Sequence, residues 1–180
     1  MVSPLMTDPR LSQHPVDVMI RRIIAGLHTA TSGDVDQIVE RVATASFNPE
    51  IIPVPGSMRG LDYLGNVLSR RESSILTHLV KRVLVEHQWS NRTTIDDYLG
   101  DLRGIRPHDS TRLALFSRRA GSMVVALATT EEIVPEQRRG ARWQPVFVVA
   151  FSADRGIIVS GYQASGLDKV AIPGDAQWLK

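Results

Sequence analysis

Apolar residues recur at helical spacing along the first quarter of the chain. Val16, Met19, Ile20, Ile23, Ile24 and Leu27 follow one another at i, i+3, i+4, i+7, i+8 and i+11, which lines them along one face of an α-helix. Pro15 suits the first turn of that helix, where its missing N–H costs nothing. Arg21 and Arg22 fall on the opposite, polar side. A second stripe, Val35, Ile38, Val39 and Val42, follows Thr31 or Ser32 as cap. Asp34 and Asp36 sit in its first turn, where negative charge is favoured. The two helices form a helical hairpin. Phe47 to Ser57 carries three prolines and a glycine and reads as a connector. A long helix is predicted from about Leu61 to His87. Leu64, Leu68, Ile75, Leu76, Leu79, Val80, Val83 and Leu84 make its buried stripe, and Trp89 closes it. Thr94 with Asp97 caps a short helix over Ile95–Arg103 that buries Tyr98 and Leu102.

The pattern changes at about Thr111. Leu113–Ser117, Met123–Thr129, Val146–Phe151 and Ile157–Tyr162 are apolar runs of strand length. Arg119-Ala120-Gly121 separates the first two. Ala153-Asp154-Arg155-Gly156 separates the last two and has glycine where a left-handed residue is wanted, so a hairpin with a type I turn and a bulge is expected. Val146 to Phe151 lacks polar alternation and is expected to be covered on both faces. The layout is α+β: N-terminal helices, then a four-stranded antiparallel β-meander packed on a long helix. The connector suggests two units, a helical hairpin over residues 1–57 and an α+β unit over residues 58–180 that ends in a tail where Trp178 docks.

Composition narrows the class. At 43% hydrophobic and 22% charged residues, 180 residues suffice for one sizeable core. Cysteine is absent, which removes disulfides and thiolate zinc sites. No apolar run approaches a membrane span, and MVSPLMTDPRLSQHP lacks the basic head and apolar core of a signal peptide, so a cytoplasmic protein is expected. The net charge of +2 is unevenly spread: 12 basic against 13 acidic residues up to Ser110, then 9 against 6. Only Lys81, Lys169 and Lys180 are lysines; every other basic residue is arginine, which suits bidentate contact with phosphate. A compositional bias of the genome would give the same excess.

Three constellations carry candidate chemistry. In THLVKRVLVEH, His78 and Lys81 lie opposite the stripe of Leu76, Leu79 and Val83, with Arg82 at the edge of the polar face. A histidine one turn from cations suits acid–base work at a phosphodiester; the same spacing describes a solvated helix face. Ser160-Gly161-Tyr162-Gln163 ends the last strand with hydroxyls and an amide beside a glycine, a plausible substrate wall or simply a strand exit. Arg138, Arg139 and Arg142 with Trp143 could grip a nucleic-acid backbone and stack on a base, or form a solvated loop. His-Glu-x-x-His, the lysine-bearing phosphate loop, Gly-x-Gly-x-x-Gly and Gly-x-Ser-x-Gly are all absent. The remaining histidines, His14, His28, His87 and His108, lack ligand spacing, so neither a metal site nor a cofactor is expected. Asn91-Arg92-Thr93 matches a glycosylation acceptor that means nothing without secretion.

The order of these parts, a helix with His78-x-x-Lys81-Arg82, Trp89, the Tyr98-Leu99 helix and a meander ending in Gly156-Ile157-Ile158-Val159-Ser160-Gly161-Tyr162, resembles the barnase–EndoU–colicin–RelE superfamily of small metal-independent ribonucleases, many of them bacterial toxins. The resemblance spans roughly Ile75 to Gln163. Arg82 stands where a histidine is common, and Ser160 where threonine is usual. The resemblance implies RNA cleavage by attack of the 2′-hydroxyl on the adjacent phosphate. His78 would be general base or acid, Lys81 and Arg82 would hold the phosphate, and Ser160 and Tyr162 would position it or complete proton transfer. Arg138, Arg139, Arg142 and Trp143 would bind the flanking strand, and an inhibitor protein is a possible partner. The competing readings are a non-catalytic interaction module, using the N-terminal helices for a homo-oligomer or a protein partner, and nucleic-acid binding without cleavage.

Overall fold

The computed structural model describes residues 10–47, 75–106, 111–119 and 121–180. The proline-rich connector beyond Phe47, the helix predicted over 61–74, and His108 lie outside the described residues.

Helix α1 (Pro15–Ile24) begins at its proline, with the His14 imidazole accepting from the Val16 N–H. Helix α2 (Ser32–Thr44) opens on a capping box: the Thr31 hydroxyl accepts from Asp34 N–H and the Asp34 carboxylate from Thr31 N–H. A short strand β1 (Ser46–Phe47) follows, ending on the first residue of the predicted connector. Helix α3 runs over Ile75–Val80 and continues as a π-helical turn, Lys81–Val85. Helix α4 (Ile95–Leu102) has its own capping box from Thr94 and Asp97.

Strands β2 (Arg112–Arg118), β3 (Gly121–Thr129), β4 (Val146–Ser152) and β5 (Ile157–Ala164) pair in succession, each antiparallel to the next. A four-residue helix α5 (Thr130–Ile133) and a 3₁₀ turn at Glu136–Arg138 occupy the segment between β3 and β4. Two edge strands enlarge the expected four to a mixed sheet of six. β1 pairs parallel with β5 at Ile157 and Ile158, and β6 (Gln177–Trp178) pairs antiparallel with β2, giving the order β1-β5-β4-β3-β2-β6. A two-residue strand has no periodicity of its own. It exists only through its pairing, so neither edge is visible in the apolar pattern.

The β4–β5 hairpin turns at Gly156, in the left-handed region at φ 69°. It carries a bulge at Val159, because Ala150 pairs with Ser160 and Phe151 with Ile158. Phe147, Val149 and Phe151 of β4 face the helices, in one cluster with Ile20, Ile23, Ile38, Leu79, Trp89 and Leu102. Val148 faces the other way, with Phe116, Val125, Leu127, Ala164 and Val170. Both faces of β4 are thus apolar, which is why the strand shows no alternation.

The N-terminal hairpin shares this core, and a polar cluster ties it to the β4–β5 turn. Asp17 is fully buried, chelated by Arg41 through Nε at 2.9 Å and Nη2 at 2.8 Å, and accepts the Ser12 hydroxyl at 2.5 Å. Arg41 also reaches the Gly156 carbonyl, and Arg21 donates to the Ala153 carbonyl at 2.8 Å. A buried carboxylate is tolerable only when matched in this way. Arg21 therefore anchors the hairpin tip rather than facing solvent. The apolar stripe of α1 is buried within the chain through Ile20 and Ile23, leaving Leu27 exposed at its end.

Candidate functional site

Beyond Ile158, β1 no longer covers the outer edge of β5, and side chains from α3, α4 and the Gln88 turn take over. An open strand edge needs partners for its outward N–H and C=O groups. The Gly161 carbonyl accepts from Arg82 Nε at 3.0 Å and from the Tyr98 hydroxyl at 2.7 Å. The Gln88 carboxamide acts as a one-residue strand: its Oε1 accepts from Gln163 N–H at 2.8 Å and its Nε2 donates to the Gln163 carbonyl at 2.9 Å. The Gln163 side chain returns the contact, donating to the Gln88 carbonyl and accepting from Gln144 N–H. This edge is sealed by side chains from positions more than sixty residues away.

His78 and Ser160 meet at the same edge, with Nδ1 and Oγ 3.5 Å apart. Arg82 lies beside them and is buried. Its Nη1 grips both oxygens of Glu86, at 3.0 and 2.9 Å, its Nη2 is 3.5 Å from Ser160 Oγ, and its guanidinium lies 5.2 Å from the centre of the Tyr162 ring. Lys81 remains exposed, 3.8 Å from Glu86. The π turn at Lys81–Val85 sets this arrangement, and such turns recur at functional sites. Burial first, and the charges of Arg82 and Lys81 next, lower the His78 pKa to about 4. The imidazole is therefore neutral near pH 7 and able to accept a proton.

Of the nine residues singled out in the sequence, four gather here: His78, Arg82, Ser160 and Tyr162. Lys81 stands on the rim. Arg82 is buried in the cluster rather than lying at the edge of a solvated face, because Glu86 and the Gly161 carbonyl compensate its charge. Tyr162 presents its ring to Arg82, while its hydroxyl accepts from Ala171 N–H on the opposite side of the sheet. The space above Gly161, in the stretch that the sequence suggests as a substrate wall or a strand exit, is filled by Leu102: a Cβ there would lie 2.0 Å from Leu102 Cδ2.

The arginine loop divides. Arg138 ion-pairs with Asp101, which also accepts the Trp89 indole N–H at 3.0 Å. Burial raises the Asp101 pKa against the opposing pull of Arg138 and Trp89. Arg139 caps the Val134 carbonyl at 2.9 Å and stacks 5.2 Å from the Trp143 ring. Arg142 alone of the three is exposed, its backbone N–H donating to the His87 carbonyl. Arg138 and Arg139 are thus engaged by the fold.

Several contributing residues have no chemical motif. Glu86 is four residues from Arg82, a spacing that does signal a helical ion pair. Gln88, Tyr98 and Leu102 carry no comparable signal, since their partners are distant in sequence. Among the described residues no group of three His, Asp or Glu side chains is placed to hold a metal ion, and no helix is long and apolar enough to cross a membrane. No protein-family model, curated protein or solved structure matches the chain.

Proposed function

We propose that the protein is a metal-independent endoribonuclease of the barnase–EndoU–colicin–RelE kind, with its site at the His78 end of α3. The observation that carries this reading is the approach of His78 Nδ1 to Ser160 Oγ, 3.5 Å across 82 positions of sequence, with Arg82 and Lys81 on the same turn. The neutral imidazole takes the proton of the RNA 2′-hydroxyl. The 2′-oxygen forms its bond to phosphorus, the bond from phosphorus to the 5′-oxygen breaks, and the departing oxygen takes a proton from solvent. Lys81 is the cation with freedom to meet the phosphate. Arg82 adds its charge from below and holds Ser160 and the β5 edge in register. Charge stabilisation by such fixed groups strengthens in a partly desolvated site. An incoming phosphate also raises the His78 pKa towards its ordinary value, which makes it a better base.

A second reading, nucleic-acid or protein binding without cleavage, is supported by Glu86. It neutralises Arg82 through two hydrogen bonds and lies near Lys81, as a purely structural clamp would. One experiment separates the two: purified protein incubated with total RNA in excess chelator, beside His78→Ala. Cleavage by the wild type that leaves 2′,3′-cyclic phosphate ends, reduced at least about a hundredfold in the variant, is the expected result. Cleavage unaffected by His78→Ala, or none by the wild type, overturns the catalytic reading.

A further inference from the structure

A cavity of about 350 Å³ opens at the other end of α3, lined by Val83, Leu84, His87, Trp89, Asn91 and Gly140 among others. Its two walls are chain segments bonded to each other. His87 O accepts from Arg142 N–H at 2.9 Å, Gln88 O from Gly140 N–H at 2.9 Å, and Ser90 N–H donates to Arg138 O at 2.8 Å. The approach is so close that a Cβ on residue 140 would lie 2.1 Å from the His87 carbonyl oxygen, so only glycine fits. His87 itself is held at φ 55°, the one left-handed residue other than glycine among those described. It stands just past the C-cap Glu86, where a left-handed residue commonly ends a helix. The His87 and Asn91 side chains are both exposed at the cavity and available to a ligand. The floor is apolar, with Val83 and Trp89 buried and Leu84 40% exposed at the lip.

We infer that this cavity is a nucleobase subsite for the RNA strand whose phosphate lies at His78. The inference rests on the ribonuclease reading and extends it to specificity. Its volume falls in the range of small-molecule sites, about 300–1,000 Å³. Its chemistry suits a flat heteroaromatic ring: an apolar floor and a leucine lip to cover the ring faces, and an exposed carboxamide to meet donor and acceptor atoms on the ring edge. Asparagine, like glutamine, pairs bidentately with an adenine edge, which makes adenine the favoured base. Arg92 and Arg142, both exposed, directly follow the lining residues Asn91 and Ala141 in the chain and match a phosphate backbone. Lys81, which is exposed, falls between His78 and Leu84 along the chain. Leu84 follows His78 by six positions on the same element, so both sites are carried by α3.

The test measures binding of short homopolymeric RNAs made uncleavable by 2′-O-methylation, by fluorescence anisotropy, with wild type, Asn91→Ala, Ala141→Phe and His78→Ala. The wild type should favour the adenine strand by about tenfold or more. Asn91→Ala, which removes the edge contact at an exposed position, and Ala141→Phe, which fills the cavity mouth, should each abolish the preference. His78→Ala should retain it. Equal affinity for all four bases, or a preference that survives both cavity variants, overturns the subsite. Cleavage of total RNA in chelator, run beside it, keeps the outcomes apart. Cleavage without base preference removes the subsite alone, whereas neither cleavage nor binding removes the ribonuclease reading and the subsite with it.

Discussion

Gly161→Ala is the sharpest probe of how the β5 edge is built. The added methyl would lie 2.0 Å from Leu102 Cδ2, 3.1 Å from its Cγ and 3.2 Å from its Cδ1. Leu102 is wholly buried, so it cannot swing into solvent. Either it leaves its rotamer or β5 retreats, stretching the bonds from Arg82 and Tyr98 to the Gly161 carbonyl. Overpacking of this kind costs about 1–3 kcal/mol. Losing glycine's freedom in the unfolded chain returns about 0.4–1 kcal/mol. The net expectation is a loss of about 1–2 kcal/mol. Leu102→Ala alone should cost about 2–5 kcal/mol, as buried leucines do. The two changes are not independent, because the cavity left by Leu102→Ala is where the new methyl goes. The double variant should therefore be no less stable than Leu102→Ala alone, with a coupling of about 1–2 kcal/mol in its favour. Urea denaturation of all four proteins measures this, with m-values checked for constancy. Strict additivity, or a neutral Gly161→Ala, would refute the claim that Leu102 occupies the space above residue 161.

Two further expectations concern the candidate residues. His78 has a folded pKa of about 4 against an ordinary 6.5, so the unfolded chain binds its proton first as pH falls. Stability should thus be unaffected by this group above about pH 6.5 and decline from there towards pH 4, by about 1–2 kcal/mol after solvent screening of a half-buried ring. Denaturation of wild type and His78→Gln at pH 7.5 and 5 tests it, and identical losses in the two proteins would show that the ring is not held neutral. Arg138→Met strands the buried Asp101 carboxylate and should destabilise by about 3–5 kcal/mol, read as a shift of the denaturation midpoint. A fully stable variant with weakened RNA binding would instead return Arg138 to the role the sequence suggests.

The limits of local pattern run through the site itself. His78, Arg82 and Ser160 stand out in the sequence by residue type and spacing, and the fold brings them to one edge. Nothing local marks Gln88 as the partner of the Gln163 backbone, because that pairing exists only when a turn after α3 meets a strand 75 residues on. Arg138 and Arg142 look alike in a run of arginines, yet one is matched to a buried carboxylate and the other faces solvent. Gly161 reads as part of a substrate wall until Leu102 arrives from another helix to pack on it.

What the sequence determined by itself follows from short-range physics. The stripes of α1 and α2, the capping boxes at Thr31 and Thr94 and the Gly156 turn depend on interactions within about four residues. The α+β class follows from the order of those elements. The tertiary structure decided what depends on long-range partners: the two-residue edge strands β1 and β6, the burial of Arg82, the left-handed turn at His87, and the tie between Asp17, Arg41 and the hairpin tip. Each of these has its energy in a contact between chain segments that no window of sequence contains.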